Sequence, residues 1–149
     1  MLATILIASL LIVITTAIHA VGMMVAIRLS RSFWNLHPKH PMLPIARPMV
    51  VSCVVLLMFL LSILEVLVWS VSYRLLGVFP ELEPAMYFSM VTYTTLGYGD
   101  VVLNEQWRLL ASFQAANGII IFGWTTAVVL AVVQRLYGKQ ENAARTGGQ

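Results

Sequence analysis

The decapeptide TYTTLGYGDV, Thr92 to Val101, carries the residues of this chain best suited to chemistry, and the chemistry they suit is not covalent. Gly97 and Gly99 alternate with Leu96 and Tyr98. Glycine enters left-handed backbone conformations without a Cβ clash. A strand that alternates left- and right-handed residues can point consecutive carbonyls the same way. Four such strands around one axis would stack rings of carbonyl oxygens, and rings of this kind can replace the water shell of a cation. The Thr95 hydroxyl can add a further ring at the inner end, and Asp100 closes the stretch with a carboxylate. The competing reading is a tight glycine turn between two helices. No nucleophile–base pair stands out elsewhere, so an enzyme is not expected and no cofactor is implied.

Such a segment needs elements that hold it. The 149 residues are 60% hydrophobic and 10% charged, the composition of a membrane protein. A spanning helix takes about 20 mostly apolar residues. Leu2 to Ile27, Met49 to about Tyr73, and about Trp107 to Leu136 each qualify. Between the last two spans, PAMYFSMVTYTT from Pro84 is apolar and aromatic but too short to cross, so it reads as a re-entrant helix. Pro84 suits a first helical position, and Glu81 and Glu83 just before it suit a helix N-terminus. Irregular backbone at membrane depth is tolerated where it lines a water-filled path or is buried in protein. The expected fold class is an all-α membrane protein with three transmembrane helices, a re-entrant helix and a following loop.

Charge orients the spans. Arg28, Arg31, Lys39, Arg47, Arg135, Lys139 and Arg145 fall on one side, whereas Arg74 and Arg108 fall on the other with Glu81, Glu83, Asp100 and Glu105. The basic side is expected to be cytoplasmic. That puts the N-terminus outside, the C-terminus inside, and the re-entrant segment entering from outside, in a plasma membrane of bacterial type. The net charge of +3 comes from scattered residues, which argues against nucleic acid as a partner. The first span lacks the basic start and small-residue cleavage site of a signal peptide, so it is expected to be retained. HPKHPMLPIARP, His37 to Pro48, reads as a linker that cannot be one continuous helix. His37 and His40 within it lack the companions of a metal site. The tail GKQENAARTGGQ reads as a frayed polar end, and Cys53 as a small buried side chain.

TTLGYGD, Thr94 to Asp100, resembles the selectivity-filter signature of potassium channels, and its context of span, re-entrant helix, loop and span resembles their two-helix pore domain. The resemblance covers about residues 49–137. It implies an outer helix at 49–73, a pore helix at 84–95, a filter at 95–100 and an inner helix at 107–137. Residues 1–28 are then an extra transmembrane helix, 29–48 a cytoplasmic linker and 138–149 a cytoplasmic tail. The resemblance implies a homotetramer in the lipid bilayer with potassium as the transported ion. The implied ion ligands are the backbone carbonyls of Thr95, Leu96, Gly97 and Tyr98 with the Thr95 hydroxyl, Gly99 completing the filter backbone. It also places Ile119, Phe122 and Thr126 near a cavity, with Leu130 and Gln134 continuing that face to a constriction. Gly118 is the hinge candidate, and Gly123 either a hinge or a site of close helix packing. Tyr87 and Phe88 stand where many members carry two tryptophans, and are expected to form an aromatic cuff, with the Tyr87 hydroxyl reaching Asp100. Val91 stands where some members place a glutamate. Leu96 stands where Val or Ile is commoner.

Several polar groups remain. Glu65, in the middle-to-outer part of the second span, must face protein, because a charge at the bilayer centre costs roughly 3 kcal/mol on insertion scales. Two readings stand: a structural acid behind the filter or paired with Arg108, and a proton sensor. His19 is expected near the inner end of the first span as a packed or interfacial residue. Gln114 and Asn117 are expected to hydrogen-bond the pore helix or a neighbouring subunit, and Trp69, Trp107 and Tyr73 to form an outer aromatic belt. The first span has no arginine ladder, so it is no voltage sensor of the usual kind and is expected to brace the outer helix. The chain is expected to conduct potassium passively. The alternatives are a weakly selective cation channel of the same fold and a non-conducting accessory subunit.

Overall fold

The computed structural model describes residues 1–34 and 43–146, with side chains described over 1–31 and 45–137. Among the described residues the regular elements are all helices: α1 (Leu2–Trp34), α2 (Leu43–Leu75), α3 (Leu82–Tyr93) and α4 (Arg108–Thr146). Leu2–Arg31, Ile45–Leu75 and Arg108–Tyr137 are long and apolar enough to cross a membrane. At 1.5 Å per residue each spans about 45 Å, more than a hydrocarbon core of about 30 Å. The 12 residues of α3 cannot cross.

The long helices run past their expected ends. The linker does not interrupt the chain through Pro48: α2 begins at Leu43 and carries Pro48 inside it. Pro44 falls in the first turn, where an amide proton has no helical partner, so only Pro48 costs a ladder bond. His37 and His40 lie outside the described residues. At the other end α4 continues to Thr146 rather than stopping near Tyr137. Among the described residues, α2 closes with Val78 N–H donating to the Tyr73 carbonyl (3.0 Å) and Gly77 N–H to that of Arg74 (3.1 Å). This Schellman turn satisfies two terminal carbonyls and redirects the chain toward α3. Helix α3 starts at Leu82, so Pro84 sits at its third position, still in the first turn, with Glu81 as the N-cap.

Both α1 and α3 pack against α2 and α4, and they do not pack against each other. The first span is therefore more than a brace on α2. Its buried stripe reads Thr4, Ala8, Leu11, Thr15, His19, Gly22, Ala26 and Ser30, at spacings of three and four. Most of these side chains are small, which lets helix backbones approach closely in a membrane. The opposite face, with Leu6, Leu10 and Val13, is exposed, as are Leu56, Phe59 and Leu60 on α2. Such faces suit lipid. The apolar interior falls into three clusters: Ala8, Leu11, Trp69, Tyr73, Ala85, Phe88 and Leu110; Val66, Tyr93 and Ile121; and Ala26, Val50, Val54, Met58, Val128, Val132 and Leu136. Trp69 and Tyr73 are fully buried in the first cluster and form no belt. Ala8 and Leu11 of α1 share that cluster with them, and Tyr73 packs on Phe79 and Phe88 and bonds Gln114. Cys53 is exposed, on the apolar surface of α2.

Candidate ion-conduction site

Helix α3 ends by folding its chain back on itself. Thr94 N–H donates to the Met90 carbonyl and Thr95 N–H to that of Thr92, both at 3.0 Å. Leu96 N–H (3.0 Å) and Gly97 N–H (3.3 Å) then share the carbonyl of Val91, whose own side chain is buried. From that turn the backbone alternates. Positive φ occurs at Thr95 (58°), Gly97 (53°) and Gly99 (80°), and not at Leu96 or Tyr98. A Cβ added to Gly97 or Gly99 would meet nothing within 4 Å, so backbone conformation rather than space demands glycine there. Thr95 takes the same conformation with a branched Cβ, which costs about 1–2 kcal/mol. The shared Val91 carbonyl holds it there. Nothing in the residue types had marked Thr95 for a left-handed φ. Leu96 and Tyr98 are exposed in the single chain.

Tyr87 donates to Asp100 Oδ2 at 2.7 Å, tying the middle of α3 to the end of the loop. That bond to the Asp100 carboxylate holds the Tyr87 phenol above its ordinary pKa of 10.0. Phe88 does not join it. One residue on is about 100° around a helix, and Phe88 turns into the interior, edge-on to Tyr73 with ring centroids 5.4 Å apart and tilted against Phe79 at 5.4 Å. The two neighbours form no cuff within the chain.

Behind α3 lie two polar layers. In the first, Tyr73 donates to Gln114 Oε1 (2.9 Å), and Gln114 Nε2 donates to Ser89 Oγ (2.6 Å) and to the Ser89 carbonyl (3.2 Å). Ser89 donates in turn to the Val66 carbonyl at 3.0 Å. This layer stitches α2, α3 and α4 together. Ser89 is the residue that the sequence reading passed over; a small hydroxyl in the apolar middle of the re-entrant helix was the available signal. Asn117 points the other way and donates to Thr15 Oγ1 of α1 at 3.0 Å.

In the second layer Glu65, fully buried, accepts from the Tyr93 hydroxyl and lies 3.0 Å from His19 Nδ1. The other ring nitrogen, Nε2, is 3.3 Å from Thr125 Oγ1, and the imidazole stacks on Trp124. Glu65 is therefore not paired with Arg108, which starts α4 and lies 3.9 Å from exposed Glu105. His19 is fully buried at the level of the α3 terminus, a packed residue rather than an exposed one.

On α4, the close approach falls at Gly118. An ideal Cβ there would sit 2.0 Å from the Tyr93 carbonyl oxygen, whereas one on Gly123 would meet nothing within 4 Å. Gly118 thus seats the end of α3, a role distinct from the hinge expected for it, and α4 runs unbroken through both glycines. Ile119, Phe122, Thr126, Leu130 and Gln134 all lie exposed along one face of α4. Phe122 also stands edge-on to Tyr93, ring centroids 5.4 Å apart.

Residues 59–135 match a family model described as Ion channel. The chain belongs to this ion-channel family. The match takes in the end of α2, all of α3, the loop after it and α4 as far as Arg135, which leaves α1 outside the channel domain. No curated protein and no solved structure gave a significant match. The chain is a multi-pass membrane protein with an ion-channel domain. Among the described residues no cluster of His, Cys, Asp and Glu could hold a resident metal.

Proposed function

We propose that four copies of this chain form a potassium-selective channel, with Thr95 to Gly99 lining its axis. The observation that carries this reading is the alternation of positive φ at Thr95, Gly97 and Gly99 within TTLGYGD, directly after a helix too short to span. One chain supplies one such strand, and a ring of ligands needs symmetric copies. The carbonyls of Thr95, Leu96, Gly97 and Tyr98, with the Thr95 hydroxyl, bind potassium in place of water. The C-terminal end of α3 carries partial negative charge toward the same axis, which favours a cation there. The exposed stripe Ile119, Phe122, Thr126, Leu130 and Gln134 faces the pathway below the filter, where its exposure in the single chain is expected. Tyr87 and Asp100 support the filter from the side and Val91 from behind. Gly123, open in this chain, is where α4 can bend.

The distribution of Lys and Arg supports an N-terminus outside the plasma membrane and a cytoplasmic C-terminus. Proteoliposomes loaded with potassium and diluted into sodium test the reading. Potassium efflux, with no comparable sodium flux in the reverse experiment, is the expected result. Sodium flux as fast as potassium flux would favour the weakly selective channel. Tetramers that pass neither ion across a scan of pH and voltage would favour the non-conducting subunit.

A further inference from the structure

We propose that His19 and Glu65 are positioning residues for the filter, and that α1 is thereby a working part of the pore. The inference rests on the filter reading above. The backbones of α1 and α3 do not meet, and Glu65 of α2 bridges a side chain of each. It takes one contact from His19 of α1 and one from Tyr93, the last residue of α3, which lies two residues before Thr95.

Tyr93 is held at three points. Its hydroxyl is bound by Glu65, its ring abuts Phe122, and its carbonyl rests against Gly118. Removing the first takes away the carboxyl acceptor of a buried phenol and the point that anchors the tip of its ring. The backbone that begins the filter follows that ring. The groups facing Glu65 are few. From α1 comes His19, from α3 Tyr93, and α4 contributes Thr125 and Trp124 to the far side of His19. Among the described residues no Lys or Arg pairs with Glu65, so His19 is its one basic partner.

The rest of α1 sharpens the point. Seven of the eight residues in its buried stripe are small, hydroxylated or apolar, and would bind α1 to α2 and α4 without any ionisable group. A buried acid and a buried imidazole inside the membrane are costly and are kept where they do something directional. The His19 Nδ1 contact engages Glu65 Oε1 and the Tyr93 hydroxyl engages Oε2, so the two partners together fix the orientation of the carboxyl group.

The test uses the purified full-length channel in planar bilayers, with the potassium-to-sodium permeability ratio as the readout. His19→Ala and Tyr93→Phe are each expected to lower the ratio by roughly fivefold or more, the factor that loss of one buried hydrogen bond gives. The double variant is expected to fall no further than the lower single variant, although residues 19 and 93 do not touch, because both act through Glu65. His19→Gln, which keeps a hydrogen-bonding group toward Glu65, is expected to restore most of the ratio. If α1 served only to hold the bundle together, yield and melting temperature would fall and the ratio would stay; that result overturns the proposal. So does a His19→Gln ratio as low as that of His19→Ala. Should His19→Ala fail to assemble, Tyr93→Phe, which removes a single oxygen, decides alone: an unchanged ratio refutes the chain of contacts. A wild-type channel without potassium preference would sink the filter reading and this proposal with it, whereas a selective wild type with unaffected variants sinks this proposal only.

Discussion

Gly118→Ala places one methyl group where the structure has no room for it. The added Cβ would lie 2.0 Å from the Tyr93 carbonyl oxygen, 3.0 Å from its carbon and 3.4 Å from its Cα. Close carbon–oxygen contacts in proteins sit at about 3.3–3.6 Å, so α3 and α4 must part by more than about 1 Å at this point. The obstruction is backbone, and no side-chain rotation relieves it. Overpacking of this kind costs about 1–3 kcal/mol, occasionally more, and four subunits would each bear it. The parting also displaces the Leu96 and Gly97 amides, which hang from Val91 one half-turn before Tyr93. Gly123→Ala is the control. Its Cβ meets nothing within 4 Å, and alanine favours a helix over glycine by about 0.8–1.0 kcal/mol. Thermal melting of the detergent-solubilised oligomer should therefore drop by several degrees for Gly118→Ala and hold or rise for Gly123→Ala, with potassium conduction lost in the first variant. Equal melting temperatures for Gly118→Ala and wild type would refute the close seating of α3 on α4.

Three further outcomes follow from the same geometry. Gly97→Ala should abolish conduction, because alanine resists a φ of 53° by about 1–2 kcal/mol in each subunit; normal single-channel currents would end the filter assignment. Gln114→Ala should lower the unfolding free energy by about 1–3 kcal/mol, since it leaves the buried Tyr73 hydroxyl without its acceptor and removes the tie to Ser89, and a denaturant midpoint unchanged from wild type would mean that this layer is not holding α3. Tyr87→Phe should shorten channel openings. The bond to Asp100 raises the Tyr87 pKa, so its contribution is fully present below about pH 10 and is lost only as pH climbs through the raised value; openings that shorten between pH 7 and 9 would contradict this.

The three spans and the short helix between them were legible because length and apolarity alone decide what can cross a bilayer. Helix ends were less so. Proline at position 48 reads as a break, yet a helix entering a membrane tolerates one lost ladder bond. Residue partners were less legible still. His19 reads as packed or interfacial, and only the packing of α1 brings it to Glu65. Trp69 and Tyr73 have the composition of an interfacial belt, but they share a cluster with Ala8 and Leu11 of α1, and both lie inside. In the candidate site the alternation of Gly97 and Gly99 was visible as residue types. The left-handed φ at Thr95, the shared Val91 carbonyl and the Ser89 bond were not: the first two depend on how the chain folds back on the end of α3, and the third on where α2 presents the Val66 carbonyl. Gly118 and Gly123 look alike in sequence, and only the position of Tyr93 tells them apart.

The most direct test of the central claim is the reversal potential of the purified protein in a planar bilayer with potassium on one side and sodium on the other. A value close to the potassium equilibrium potential is the predicted result. A clear current reversing near zero would contradict it, since a filter of stacked carbonyl rings that binds potassium in place of water would not pass sodium equally.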